Sequence, residues 1–359
     1  MARSANREDS GAFRESQIAF RPAGNDGRGM THKLRTMLLG LGTLLILVVG
    51  AFAAVIAFDS PETPPTLAAG DSIPGMQAWD FTEIPKPRHV TARDGAPLVY
   101  RLYPGKADRV VVLVHGSTGS GVEMHQVAKA LQAEGATVYA IALRGHGGSG
   151  TRNGDVSYIG QLDDDLADLV MALGLDKPGT RRTLMGFSAG GGFVLRIASG
   201  RNAALFDNYI AVSPYLGPDS STNRPNIGGW TSIATHRIVA LSILAQAGLP
   251  WFQDLPVVHF ATQAKADENR TPVYSFRLVA SLNIGRQWRE ALAHIRPPTQ
   301  IIVGTSDELF LADRFMPLLK QINPRIRVTV LPGHGHLGMI GDPSATTSLA
   351  MIWKDSLGS

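Results

Sequence analysis

Apolar residues form one long uninterrupted run near the N-terminus and many short runs further along the chain. The long run covers residues 37–58, none of which carries a charge. At about 1.5 Å per residue, a helix of this length crosses a hydrocarbon layer of about 30 Å. We therefore predict a transmembrane anchor over residues 36–58.

Beyond residue 88, short apolar runs alternate between strand and helix patterns. Residues 110–114 read Val-Val-Val-Leu-Val, which is typical of a parallel strand buried on both faces. Further strands are predicted over residues 137–143, 182–186, 209–212, 299–303 and 328–331, and helices over 122–131, 159–173, 191–198 and 344–357. This alternation predicts an α/β fold over residues 88–359, with a mostly parallel sheet covered by helices on both faces.

Two stretches interrupt this rhythm. Residues 59–87 are rich in proline and predict a connector that holds the domain away from a bilayer. Residues 217–283 are too long for a plain loop and carry apolar helical runs at 233–249 and 272–282. They predict an inserted helical cap.

The net charge of +4 is concentrated at the N-terminus, where residues 1–35 hold seven basic and four acidic side chains. This polar tail lacks apolar periodicity and is predicted to be disordered. Because basic residues precede the anchor and acidic ones follow it, the N-terminus is expected in the cytoplasm and the domain outside. The alternative is a cleaved signal peptide beginning at Met30, with 51–53 as its small-residue site.

Composition also excludes several classes of function. The domain is nearly neutral, so the high overall pI gives no support for nucleic-acid binding. The chain has no cysteine, which excludes disulfides, thiolate metal sites and a cysteine nucleophile. Three consecutive aspartates at 163–165 look like a metal cluster, but successive helix positions point in different directions, so a solvated helix surface is predicted. No cofactor or metal is implied.

A candidate nucleophile lies between a predicted strand and helix. Residues 186–190 read Gly-Phe-Ser-Ala-Gly, with Ser188 at the turn. A serine at such a turn is held in strained backbone, and Gly186 and Gly190 let neighbouring segments pass closely. The helix start then directs amide groups at a developing oxyanion.

A serine hydroxyl needs a general base that a carboxylate orients, in the chain order serine, acid, histidine. Asp307 follows the strand at 299–303 and His336 follows the strand at 328–331, so both fall at the edge of the sheet where Ser188 is expected. His334 is a rival base in the same loop. Asp307 could instead cap the helix that follows it.

A second glycine turn follows residues 110–114. There, His115-Gly116-Ser117 can expose the Ser117 N–H, which with the Ala189 N–H forms a predicted oxyanion hole. His115 itself is expected to make a structural hydrogen bond. The loop 144–149, Arg-Gly-His-Gly-Gly-Ser, has no Walker lysine after it and is interpreted as structural.

With these pieces in order, the sequence resembles the α/β-hydrolase superfamily. It is similar to the branch that contains monoacylglycerol lipases, lysophospholipases and serine-aminopeptidase-like hydrolases, over about residues 88–357. One departure is Ala142, where that branch often has an aspartate.

The resemblance and the residues together predict a membrane-anchored serine hydrolase that cleaves carboxylic esters through an acyl-enzyme. The apolar cap and the anchor favour a small-molecule or lipid-like acyl ester, with Trp251 and Phe252 expected in an acyl-binding lid. The alternatives are amide or peptide hydrolysis, acyl transfer, or a catalytically inactive tethered binding protein.

Overall fold

The computed structural model describes residues 27–64, 79–225, 229–261 and 270–358. Contacts divide the chain into two compact units, Met1–Ala53 and Ala54–Ser359. The predicted tail up to residue 26 and residues 65–78 of the proline-rich connector lie outside the described residues.

The first unit holds most of one long helix, α1 (Gly27–Phe58). Its segment Thr31–Phe58 spans 28 residues with a mean hydropathy of 2.7, long and apolar enough to cross a membrane. The helix ends at Phe58, as predicted, but begins nine residues before the predicted anchor, so the predicted irregular tail is helical from Gly27.

The second unit contains an eight-stranded sheet. In chain order its strands are β1 (Arg88–Thr91), β2 (Pro97–Tyr103), β3 (Lys106–Val114), β4 (Ala136–Ile141), β5 (Arg181–Phe187), β6 (Asn208–Val212), β10 (Thr299–Gly304) and β11 (Arg327–Leu331). Their order across the sheet is β1-β2-β4-β3-β5-β6-β10-β11. β1 and β2 pair antiparallel. The other six strands, which follow from β4 to β11 in the order across the sheet, are parallel to one another.

Helices cover this sheet on both faces. The helices described in the second unit are α2 (His125–Ala133), α3 (Gln161–Ala172), α4 (Ala189–Ser199), α5 (Thr235–Gln246), α6 (Phe276–Leu282), α7 (Trp288–His294), α8 (Ala312–Ile322), α9 (Gly338–Gly341) and α10 (Pro343–Ser356). Val111 and Leu113 of β3 join side chains of α2 and α10 in one core cluster. Their neighbour Val112 points to the other face and is equally buried, so neither face is open to water.

The cap is only partly helical, which corrects the prediction. It contains an antiparallel sheet of β7 (Thr231–Ile233), β8 (Pro256–Phe260) and β9 (Val273–Ser275) besides α5 and α6. The helix predicted over 272–282 starts only at Phe276, because the Ser275 side chain caps it by accepting from the Leu278 N–H.

The end of the predicted connector is packed rather than free. Trp79 lies against the α2–α10 core cluster, and Lys129 of α2 pairs with Glu83 at 3.1 Å. The predicted connector is therefore not a free spacer at Trp79 and Glu83. At the start of the second unit, the Arg237 guanidinium of the cap donates to the carbonyls of Ile56 and Ala57 at 2.9 and 3.1 Å, which satisfies orphan acceptors of the last turn of α1.

Candidate active site

Ser188 occupies the sharp turn between β5 and α4. Its φ of 55° and ψ of −116° lie outside the regions that a residue with a Cβ ordinarily adopts. The Ser188 N–H donates to the Val212 carbonyl at 2.9 Å. The Ser188 carbonyl accepts from the N–H groups of Gly192 and Tyr215 at 3.0 and 3.2 Å. These bonds hold the strained turn at the carboxyl edge of the sheet.

Glycine is required on both sides of this turn. A Cβ on Gly186 would lie 2.4 Å from the Gly190 carbonyl oxygen. A Cβ on Gly190 would lie 2.2 Å from the His115 carbonyl oxygen. Both contacts are with backbone, which cannot move aside as a flexible side chain can. The turn therefore packs directly on the loop after β3.

The structure brings together the three residues predicted as nucleophile, base and acid. His336 Nε2 lies 3.0 Å from Ser188 Oγ, and His336 Nδ1 lies 2.9 Å from Asp307 Oδ2. An ionised carboxylate only accepts hydrogen bonds, so the proton of the neutral imidazole sits on Nδ1. The lone pair of Nε2 consequently faces the serine hydroxyl and can take its proton.

Asp307 is fully buried, yet it is held in its charged form. Its Oδ1 accepts from the N–H groups of Leu309 and Phe310, both at 2.9 Å. Burial opposes ionisation, but the hydrogen bonds from His336 and Leu309 outweigh it and lower the pKa of Asp307. The helix-cap alternative is wrong, because the next helix, α8, has Leu311 at its N-cap position.

The His336 loop is anchored by a carboxylate that the sequence reasoning missed. Glu308 Oε2 accepts from the His336 N–H, and a Cβ on Gly335 would lie 2.5 Å from Glu308 Oε1. The only signal of this role in the sequence is that Glu308 directly follows Asp307. After His336, Met339 and Ile340 are buried and hold the loop on the domain.

His334, the rival base, points elsewhere. Its Nδ1 lies 3.4 Å from Asp342 Oδ2, and its side chain is only 15% exposed. The His334 carbonyl accepts from the Ser306 N–H at 3.0 Å. His334 thus joins the loop after β11 to the loop after β10 and to Asp342.

The predicted oxyanion donors lie on the two segments that meet at the nucleophile. Ser117 follows Gly116, where a Cβ would lie 3.4 Å from the Ser188 Cβ, and Ala189 opens α4. Among the described residues, neither the Ser117 nor the Ala189 N–H donates a hydrogen bond. Both amides are therefore available to a ligand oxygen.

His115 orients the Ser117 amide and is not a base. The Leu143 N–H donates to His115 Nε2 at 3.1 Å, so the ring proton is on Nδ1 and is donated to the Gly116 carbonyl at 2.7 Å. A trans peptide is planar, so fixing the Gly116 carbonyl also fixes the Ser117 N–H on the opposite side. Burial lowers the pKa of His115, which keeps it neutral.

The three aspartates at 163–165 do not form the solvated surface that was predicted. Asp163 and Asp165 are buried and paired with Arg196 at 3.1 Å and Arg144 at 2.7 Å. Arg144 begins the 144–149 loop, so the pair joins that loop to α3. Among the described residues, no cluster of three or more histidine or acidic side chains could hold a metal ion.

The cap aromatics have different surroundings. Phe260 is buried and stacks edge-on with Tyr274 at a centroid distance of 4.9 Å. Trp251 and Phe252 are 57% and 54% exposed, and their place in an acyl-binding lid stays a prediction.

Known proteins resemble this chain in sequence and in fold. The sequence profile of the family described as serine aminopeptidase, S33, matches residues 105–343. A monoacylglycerol lipase of Mycolicibacterium smegmatis is 35% identical over 102 residues, which is 28% of this chain and 36% of that lipase. The chain thus matches about a third of the length of that relative.

Solved structures share the fold. The soluble variant of a monoglyceride lipase from Saccharomyces cerevisiae, solved with a substrate analogue, has a TM-score of 0.60 at 17% identity and covers 77% of this chain and 96% of its own. The monoacylglycerol lipase of Paleococcus ferrophilus has a TM-score of 0.55 at 19% identity and covers 72% and 98%. The observed sheet and its covering helices are those of the α/β-hydrolase fold.

Proposed function

This chain belongs to the serine aminopeptidase, S33, family, and from that premise we propose that it is a serine hydrolase that cleaves carboxylic esters. The nucleophile is Ser188, the general base is His336 and the orienting acid is Asp307. The Ser117 and Ala189 amides form the oxyanion hole. No cofactor takes part in the proposed reaction.

The observation that carries the proposal is the continuous pair of hydrogen bonds from Ser188 through His336 to Asp307, 3.0 and 2.9 Å long. Both bonds join side chains that are less than a tenth exposed. An inactive binding protein has no need for a strained serine in line with a tautomer-fixed histidine, so this geometry favours catalysis.

The reaction follows from the positions of the protons. As Ser188 Oγ attacks the acyl carbon, its proton moves to His336 Nε2, and Asp307 stabilises the imidazolium that forms. The carbonyl oxygen becomes an oxyanion that accepts from the two free amides. His336 then gives the proton to the leaving alkoxide, which departs as the alcohol. Water, activated by the same histidine, cleaves the acyl-enzyme and releases the acid.

For the substrate class, we propose an acyl ester of a small alcohol. The proposal draws on the relatives named as monoacylglycerol lipases. It also draws on the apolar N-terminal helix, which would keep the enzyme close to lipid. Amide hydrolysis is the second candidate, because the family description names an aminopeptidase. Acyl transfer to an alcohol would use the same acyl-enzyme.

The membrane organisation is part of the proposal. Residues 36–58 serve as a single-pass anchor, with the tail 1–35 in the cytoplasm and the catalytic domain 88–359 outside. The excess of basic side chains before the span supports this orientation.

The test is hydrolysis of p-nitrophenyl esters from acetate to laurate, beside a set of aminoacyl anilides, by the detergent-solubilised full chain. We expect ester turnover that Ser188→Ala reduces by about four orders of magnitude or more. Ser199→Ala, at the C-terminal end of α4, removes a partly buried hydroxyl far from the turn and should keep wild-type rates. Anilide turnover above ester turnover would favour the amide alternative, and Ser188-independent turnover would reject the proposed nucleophile.

A further inference from the structure

The turn after the proposed oxyanion residue Ser117 is held by the cap. Thr118 has a φ of 61°, in the left-handed region that a β-branched residue rarely adopts. The Thr118 N–H donates to Tyr274 Oη at 2.7 Å. The Thr118 carbonyl accepts from the Thr271 N–H at 3.2 Å, and its hydroxyl lies 3.4 Å from the Arg270 guanidinium. The cap segment 270–274 thus contacts all three polar groups of Thr118.

The donor and the acceptor of each hydrogen bond in this network follow from the partners of His146. His146 Nδ1 lies 3.3 Å from the Arg144 carbonyl, which can only accept, so the ring proton is on Nδ1. His146 Nε2 therefore accepts from the Tyr274 hydroxyl at 2.7 Å. The Tyr274 oxygen is left free to accept from the Thr118 N–H. Tyr274 and His146 are both almost fully buried, so water does not compete for these bonds.

Ser117 consequently lies between two fixed peptide groups. The peptide on its amino side is held by His115 through the Gly116 carbonyl. The peptide on its carboxyl side is held by Tyr274 through the Thr118 N–H. With both planes fixed, the Ser117 N–H keeps one direction before any substrate arrives.

We propose that Tyr274 is a positioning residue that aligns the Ser117 amide for the oxyanion and makes catalysis depend on the seating of the cap strand β9. This role rests on the proposed function, because it has meaning only if Ser117 donates to an oxyanion. Tyr274 acts through Thr118 and need not touch the substrate.

The variant Tyr274→Phe keeps the ring and removes only the hydroxyl. It leaves the Thr118 N–H and His146 Nε2 without partners, so the Ser117 amide is free to turn away. Complete loss of one oxyanion donor costs about 100-fold to 1,000-fold in kcat, and misalignment should cost less. We expect kcat to fall about 10-fold to 100-fold while KM changes less than about threefold, because the oxyanion forms only in the transition state.

A second readout separates positioning from general damage. A trifluoromethyl ketone forms a tetrahedral adduct with the nucleophile, and its oxygen occupies the oxyanion hole. Its inhibition constant should weaken in Tyr274→Phe by about the factor lost in kcat/KM. The alcohol product, which needs no oxyanion donor, should inhibit as before.

The matched control is Tyr209→Phe. Tyr209 is also fully buried and donates its hydroxyl to a backbone carbonyl, that of Ala203, at 3.0 Å. It lies at the start of β6, at the opposite end of the sheet from Ser188. It should lose stability comparable with that of Tyr274→Phe but keep kcat and ketone affinity. Arg270→Met, which removes the contact to the Thr118 hydroxyl, is the second test variant and should lower kcat by about twofold to fivefold.

The measurements use the full chain in detergent, with the melting temperature recorded for every variant. Parallel losses of kcat and ketone affinity in Tyr274→Phe, absent from Tyr209→Phe, support the proposal. Wild-type kcat in folded Tyr274→Phe overturns it. If Tyr274→Phe does not fold, Arg270→Met is used instead. Its kcat and its ketone affinity then support or overturn the proposal in the same way. Failure of the proposed function is a separate result, since Ser188→Ala would then turn over ester at the wild-type rate.

Discussion

The histidines near the site differ in which ring nitrogen is left free. His115 uses both nitrogens on backbone partners, and His146 uses both on Arg144 and Tyr274. His336 alone among these three places a nitrogen with a free lone pair against the Ser188 hydroxyl. The assignment of the base thus depends on hydrogen-bond partners, which a glycine-rich loop sequence does not reveal.

The first prediction separates the two histidines of one loop. His336→Ala should lower kcat/KM on an activated ester by about three orders of magnitude or more, because the proton of Ser188 then has no acceptor. His334→Ala should keep at least about a tenth of the wild-type value, a cost of about 1.4 kcal/mol or less in activation free energy. Circular dichroism confirms folding of both. An inactive His334→Ala beside an active His336→Ala would move the base by two residues.

The second prediction concerns acid stability. Burial lowers the pKa of His146 to about 3, against about 6.5 in the unfolded chain. Because the folded pKa is the lower one, the unfolded state binds the proton first as pH falls below about 6.5, and stability is lost down to about pH 3. At pH 5 this one residue should cost on the order of 2 kcal/mol relative to pH 7.5.

Urea unfolding at pH 7.5 and 5 measures this effect in wild type and in His146→Gln, which does not titrate. The variant should be less stable at pH 7.5 but should lose less stability than wild type on acidification. An equal loss in both proteins would show that His146 is not the titrating group.

At the scale of elements, the sequence predicted the parts of the fold whose pattern is strong. The buried run at 110–114 forms the end of β3, which starts four residues earlier, and the five other predicted strands appear in the parallel sheet with bounds that differ by two residues at most. Because parallel strands end at the same edge, the residues just past three of them had to converge. The strand pattern alone therefore predicts that Ser188, Asp307 and His336 are neighbours.

What could not be predicted depends on tertiary contacts. The segment Val273–Ser275 looked like the start of a helix, but pairing with β8 makes it a strand. The aspartates at 163–165 looked solvated, but arginines from other elements cover them. The antiparallel pair β1 and β2 was missed, although the Asp94-Gly95 dipeptide between apolar residues is a turn signal.

The third prediction tests how the 144–149 loop is joined to α3. Arg144 is 4% exposed and pairs with Asp165 at 2.7 Å and with Asp94 at 2.9 Å. Arg144→Ala should lower the free energy of unfolding by about 3–5 kcal/mol, because it leaves a buried carboxylate without a partner. The double variant Arg144→Met/Asp165→Leu should recover much of that loss.

The control pair is on the surface. Arg201 contacts Asp164 at 2.6 Å, but its side chain is 63% exposed. Arg201→Ala should cost less than about 1 kcal/mol in the same urea experiment. If Arg144→Ala and Arg201→Ala lower the free energy of unfolding by the same amount, the Arg144–Asp165 pair does not stabilise the junction between the 144–149 loop and α3.

At the scale of the whole molecule, the chain has two parts that we propose lie in different solvents. The anchor lies in the bilayer, and the catalytic domain lies in water. Thr31–Phe58 has the length and hydropathy of a span, and the second unit has the core of a globular domain.

The fourth prediction is that the chain stays in the membrane fraction after carbonate washing. A reporter that is active only outside the cytoplasm should be active when fused after Ser359.

A soluble product beginning near Ala54 would contradict the anchor and would show instead that the segment is a cleaved signal. An inactive reporter on a membrane-bound chain would reverse the orientation while leaving the anchor in place. N-terminal sequencing of the mature protein distinguishes these outcomes.

The fifth prediction tests the central claim, that Ser188 is a nucleophile activated within this fold. The full chain is treated with a fluorophosphonate and digested, and the modified peptide is located by mass spectrometry. The adduct should lie on Ser188, and Ser188→Ala should remain unlabelled while Ser199→Ala is labelled like wild type. An adduct on another residue, or equal labelling of Ser188→Ala, would contradict the account.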